Sequence, residues 1–148
     1  MLLLVASCAL VLSCTPSPEA QVRAAIDDAV EAAEAGDLQA LMLIVAEDYR
    51  DGQGRNRQTV LGILALHVRG GERLYFYSRL RELQVTAPDR AQVMMLLAVA
   101  RVPLELQMLD TVSADLFRID LVFSLRSGQW KVAAADWSEA DLGDFLTP

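Results

Sequence analysis

Residues 115–137 read DLFRIDLVFSLRSGQWKVAAADW, and this stretch decides the fold. Phe117, Ile119, Leu121, Phe123 and Leu125 fall on one phase, while Arg118, Asp120, Ser124 and Arg126 fall on the other. Side chains on a strand change face at every residue, so the alternation predicts a strand with one buried and one wetter face. Ser127-Gly128 offers a tight turn, and residues 130–135 run back as a second strand. A lone two-stranded ribbon is not stable in water. The remaining chain must therefore cover its apolar side.

Upstream, the composition is β-like from Glu72. Residues 74–86 predict a long strand in which Leu74, Phe76 and Leu80 share one phase and Leu83 and Val85 the other. The change of phase predicts a bulge near Arg81 that bends the strand. Ala87-Pro88-Asp89 turns the chain, and residues 90–102 return as a strand apolar on both faces, hence covered on both. Pro103 marks a strand end or bulge, with 104–109 as a possible continuation. Tyr75, Tyr77, Arg79 and Arg81 share a phase, a pattern that suits an interface or a ligand surface.

The first half of the chain reads as three helices. Ser17 is placed to cap the first, Pro18 suits its first position, and Gly36 ends it. Val22, Ile26, Ala29, Val30 and Ala33 make its apolar stripe. Asp37 caps a second helix carrying Leu38, Leu41, Met42 and Val45. Tyr49-Arg50-Asp51 is a short extended piece, and Asp51-Gly52-Gln53-Gly54 is a turn. Asn56 caps a third helix over 57–68 with Val60, Ile63, Leu64 and His67 on its stripe. Residues 139–148 read as an acidic tail with a weak helical turn.

The 148 residues suit one domain, 53% hydrophobic and 22% charged. Thirteen basic and 20 acidic residues give a formal charge of -7. Without a basic cluster the chain is a poor match for nucleic acid, whose phosphates need Lys and Arg on one face. The N-terminal residues are apolar and no charge precedes Glu19. That run is too short to span a bilayer but has the size of a signal-peptide core. It ends in Val11-Leu12-Ser13-Cys14, which resembles the lipobox of bacterial lipoproteins, although no Lys or Arg precedes it. The resemblance implies a signal peptide over 1–13, lipid on Cys14, a short linker over 14–17 and a folded domain over 18–138. Thr15 after the lipidated Cys, in place of Asp, implies an envelope protein on the periplasmic side of an outer membrane. Cys8 is the one other cysteine, so the folded domain carries no thiol for a disulfide, a nucleophile or a metal.

Three helices followed by a long antiparallel meander make an α+β cone, with the helices held in the concave face of a curved sheet. That order, with Gly36-Asp37-Leu38 between helices and Gln129-Trp130-Lys131-Val132 then Asp136-Trp137 in the last strand, resembles the NTF2-like superfamily, named for nuclear transport factor 2. The superfamily includes isomerases, dehydratases, transport adaptors and domains without activity, so the resemblance implies a pocket and not a reaction. Enzyme members place a carboxylate in that pocket as base. Here Asp51, His67 and Asp136 are the candidate catalytic residues, and Tyr49, Asp51 and Trp137 the candidate ligand contacts. Each has a structural alternative, which is favoured. Asp51 could cap the Gly52–Gly54 turn and pair with Arg55 or Arg57. His67 could sit at a helix C-terminus, where the dipole favours it, and Tyr49 and Trp137 could be core. No metal site and no cofactor is expected, since one His and no Cys in the folded part make a poor ligand set. The expected role is a non-enzymatic, lipid-anchored domain that binds a protein partner or a small apolar ligand and dimerises through its sheet face. A lyase or isomerase is the alternative.

Overall fold

The computed structural model describes residues 15–68 and 70–147. The leader, Cys8 and the expected lipid site Cys14 lie outside the described residues. Helix α1 spans Pro18–Ala35, capped by the Ser17 hydroxyl, which accepts from Ala20 N, and closed by Gly36 in the left-handed region at φ 67°. Helix α2 spans Leu38–Ile44 with Asp37 accepting from Ala40 N, and α3 spans Arg57–Val68 with Asn56 accepting from Thr59 N. Strands β1 (Tyr75–Ala87), β2 (Arg90–Ala100), β3 (Asp115–Arg126) and β4 (Gln129–Glu139) pair in sequence order as one antiparallel sheet. The β3–β4 turn is Ser127-Gly128, both at positive φ, the hand that suits twisted strands.

Register breaks bend the sheet. One falls between Leu80 and Glu82, leaving Arg81 as the bulged residue, and another between Val122 and Phe123. The registers divide the side chains between two faces. On the concave face lie Leu80, Leu83 and Val85 of β1, Ala91, Val93 and Met95 of β2, Ile119, Leu121 and Phe123 of β3, and Trp130 and Val132 of β4. Val22 and Ile26 of α1 close over them as the main core. Trp130 Nε1 donates to Gln21 Oε1 at 3.2 Å, so this deeply buried indole keeps its polar atom satisfied.

The outer face has its own apolar cluster, and here the structure corrects one expectation and sharpens another. Residues 104–109 do not extend β2; after Pro103 the chain forms a loop with a short 3-10 turn at Leu106–Met108. Leu104, Leu106 and the buried Leu109 lie against Leu96 and Ala98 on β2. The weak helical turn expected within residues 139–148 is present, and it is packed against the sheet. After β4 the chain forms helix α4, Leu142–Leu146, and Phe145 is fully buried in the same cluster. The driving force is the second apolar face of β2, which must be covered and finds its cover at the C-terminus. This also accounts for the Tyr and Arg phase of β1. Tyr77 packs in that cluster, Arg79 donates to Phe145 O, and Arg81 Nη1 donates to Thr147 O at 2.7 Å.

No described helix is long and apolar enough to cross a membrane.

Candidate functional site

The site builds from the exposed edge of β4. Residues 45–50 run along that edge: Val45 bridges Val132 in parallel, Ala46 N donates to Val132 O at 2.9 Å, and Arg50 N to Ala133 O at 3.0 Å. An unpaired strand edge is thereby occupied by the chain itself. The segment delivers Tyr49, 1% exposed, beneath α3 and against Val60, Val45, Val132, Ala135 and Trp137.

Tyr49 Oη lies 3.0 Å from Asp51 Oδ2 and accepts from Ala135 N at 3.1 Å. A phenol has one proton, and the charged carboxylate is the stronger acceptor for it. The Asp51 carboxylate is buried and its oxygens are fully used. Oδ1 accepts from Gln53 N at 3.0 Å and Arg55 N at 2.9 Å; Oδ2 accepts from Tyr49 Oη and from Arg55 Nε at 2.6 Å. Burial pushes the Asp51 pKa up, but the hydrogen bonds from Arg55, Tyr49 and Gln53 together outweigh it and hold the group below its ordinary value. Tyr49 moves the other way: burial first, then the bond to Asp51 and its negative charge, raise its pKa well above that of a free phenol. The pair is thus a fixed carboxylate and a fixed neutral phenol.

Arg55 completes the group. Its guanidinium stacks 3.7 Å from the centroid of the Trp137 ring, and its Nη2 lies 3.9 Å from Asp136 Oδ1. Arg57 does a different job, donating to Met42 O at 2.7 Å and Val45 O at 3.2 Å, which satisfies the C-terminal carbonyls of α2. Of the two arginines weighed as partners of Asp51, the structure places Arg55 there.

Asp136 and Trp137 face opposite ways, as neighbours on a strand do. Trp137 pairs with Ile119 on the concave face; Asp136 pairs with Asp120 on the outer face, with Glu82 and Arg118 nearby. His67 is apart from both. It is exposed near the end of α3, and its Nδ1 lies 2.8 Å from Ile63 O. The structure therefore brings Tyr49, Asp51 and Trp137 together through Arg55, and keeps His67 separate. Arg55 is the member that sequence reasoning placed only as a salt-bridge partner; the signal for its wider role is its i+4 spacing from Asp51. Among the described residues, no three His, Cys, Asp or Glu side chains gather closely enough to hold a metal ion.

Beyond α1 the concave face continues as a second apolar surface. The registers set Phe76 beside Val99, Leu97 beside Phe117, and Met95 beside Ile119 and Trp137 in turn. Phe76, Leu97, Val99 and Phe117 are only half-buried and belong to none of the three buried clusters. Helix α3 leans on α2 and on Tyr49 and makes little direct contact with the strands.

No family model matches the sequence, and no curated protein matches it. Solved structures do match. A protein of the NTF2-like family from Streptomyces avermitilis aligns at a TM-score of 0.64 and 20% identity, over 83% of this chain and 96% of that one. A ketosteroid isomerase-like protein from Erwinia carotovora atroseptica aligns at 0.62 and 14%, over 86% and 99%. An NTF2-like protein of unknown function from Pseudomonas putida aligns at 0.62 and 19%, over 88% and 96%. At such identities the likeness concerns the backbone fold alone. The described residues have the NTF2-like fold, an α+β cone.

Proposed function

We propose that this chain is a lipid-anchored protein of a bacterial envelope, tethered through Cys14 on the periplasmic side of an outer membrane, whose NTF2-like domain binds a small apolar molecule without transforming it. The observation that carries the binding role is the half-buried strip Phe76–Leu97–Val99–Phe117 on the concave face, continuous with Trp137. Apolar surface left open inside a cone is surface that a ligand can cover. The choice of binding over chemistry rests on Asp51, whose lone pairs are all engaged within the chain, leaving none for a substrate proton.

An environment-sensitive apolar dye tests this. It binds the wild-type domain, and Leu97→Glu weakens binding by about tenfold or more, because a carboxylate on the apolar floor must be desolvated. Unchanged dye affinity in a folded Leu97→Glu variant overturns the proposal. For the anchor, Cys14-dependent incorporation of labelled palmitate in a bacterial host is expected, and label retained in Cys14→Ser refutes it.

The lyase or isomerase reading keeps one supporting observation, the exposed His67, whose Nδ1 lies 2.8 Å from Ile63 O. The proposed homodimer uses the part of the outer sheet face that α4 leaves open, around Met94, Val122 and Ala134, rimmed by Glu82, Gln84, Gln92, Arg118 and Asp120. A monomeric mass by light scattering at tens of micromolar, roughly the range of a weak specific complex, rules it out.

A further inference from the structure

The start of α1 is tied to the chain that precedes it. Gln21 Nε2 donates to Pro16 O at 2.8 Å, while its Oε1 accepts from Trp130 Nε1 at 3.2 Å. The Ser17 hydroxyl accepts from Ala20 N, and Ser17 O accepts from Gln21 N at 3.0 Å. One amide thus bridges Pro16 to the buried indole of β4. Pro16 and Ser17 are thereby held against the folded domain, and Thr15 alone separates them from Cys14.

This attachment lies at one end of the cone. Trp130 pairs with Leu125 beside the Ser127-Gly128 turn, and Leu125 N donates to Asp89 O at 2.8 Å. The β1–β2 and β3–β4 turns therefore sit together at the tethered end. The opposite end of α1 is marked by Glu34, whose carboxylate accepts from Phe76 N at 3.2 Å. Phe76 belongs to the half-buried apolar strip, with Leu97, Val99 and Phe117 beside it. Helix α1 has 18 residues, which sets the strip about 25 Å from the tether.

Two lengths now decide how such a domain can stand on a bilayer. The acyl chains of a lipidated cysteine are buried in the membrane, which keeps its backbone at head-group level. Two residues of chain reach about 7 Å at most, so Pro16 stays within that distance of Cys14. Turning the strip to face the bilayer would lift the tethered end about 25 Å above it, several times the reach of the tether. We infer that the pinned tether fixes the orientation of the domain, with the two turns against the lipid head groups and the apolar strip on the side away from the membrane. This rests on the reading of Cys14 as the lipid site, and it adds the direction from which the ligand comes: the aqueous side, and not the leaflet that holds the anchor.

The test uses the mature lipidated chain in phosphatidylcholine vesicles that carry nitroxide-labelled head groups. In that chain the sulfur of Cys14 is blocked by lipid and Cys8 is gone with the leader, so an introduced thiol alone takes a bimane dye. Asp89→Cys places the dye at the tethered end and Ser113→Cys places it at the far end, both at exposed positions. Nitroxide quenching needs near contact, so the dye at position 89 is expected to be quenched about threefold or more as strongly as the dye at position 113. A Gly-Ser insertion of about 20 residues after Thr15, with an r.m.s. length of about 25 Å, is expected to equalise the two. Equal quenching without the insertion, or stronger quenching at position 113, overturns the orientation and leaves the anchor standing. A difference that survives the insertion overturns the role of the tether. A chain that fails to float with the vesicles overturns the anchor, and the orientation with it.

Discussion

Asp51→Ala is expected to lower the melting temperature of the domain by about 10 °C, as read by circular dichroism. The side chain is fully buried. Its removal leaves the Arg55 Nε–H and the N–H groups of Gln53 and Arg55 without their acceptor, and leaves the Tyr49 hydroxyl only Ala135 O. A buried cation that loses its counter-charge is far costlier than the pair was stabilising. The damage spreads, because Tyr49 also receives Ala135 N, and through it the segment along the β4 edge is fixed. Asp51→Asn keeps the shape and one acceptor oxygen, so its loss is expected to be smaller. Were Asp51 instead a base with a lone pair to spare, substitution would leave the melting temperature within about 2 °C of wild type. That outcome would refute the structural role assigned here.

The same pair sets the pH dependence. The folded pKa of Asp51 lies below its ordinary value. The stability it contributes is therefore present above the unfolded carboxylate value of about 4 and is lost as pH falls through the lower, folded value. Tyr49 is raised, so its contribution is present below the unfolded phenol value of about 10 and is lost as pH climbs above it. In a plot of melting temperature against pH, Asp51→Ala is expected to flatten the acid limb.

Much of the fold was legible because its signals are local. Ser17, Asp37 and Asn56 cap the helices they precede, and the phase change between Leu80 and Leu83 located the bulge at Arg81. A cap bonds three residues ahead and a bulge shifts a two-residue period, so both leave a mark inside a short window. The site was legible only in its local part. That Asp51 holds the Gly52–Gly54 turn follows from Asx-turn chemistry. That Tyr49 reaches Ala135, 86 residues away, does not, since it depends on which sheet edge residues 45–50 come to lie along. Asp136 and Trp137, both in the last strand, are separated by strand alternation alone. In residues 139–148 the helical turn was legible but its packing was not, for a further reason. Their composition is acidic, and the burial of one Phe depends on an apolar acceptor surface contributed by residues 96–116.

Phe145→Ala is expected to cost about 3–5 kcal/mol in urea denaturation, the range for truncating a fully buried Phe. Phe145 is 0% exposed, set against Leu96, Ala98 and Leu109 with Leu142 beside it. A helix of five residues has no stability of its own. It persists because Phe145 is buried, because Asp141 and Asp144 form a capping box, and because Arg79 and Arg81 donate to the carbonyls of Phe145 and Thr147. Removing the ring removes the first of these, and the other two are surface interactions too weak to hold α4 in place. The helix is then expected to detach and uncover Leu96, Ala98 and Leu109, so the variant should also bind an apolar dye on its outer face. Leu146→Ala is the control. Leu146 is 57% exposed on the same helix, and its truncation is expected to cost under about 0.5 kcal/mol. Equal effects at the two positions would mean that α4 lies on the surface as a solvated appendage. Only a difference of several-fold is compatible with residue 145 closing the outer core, because the two side chains share a helix and differ chiefly in burial.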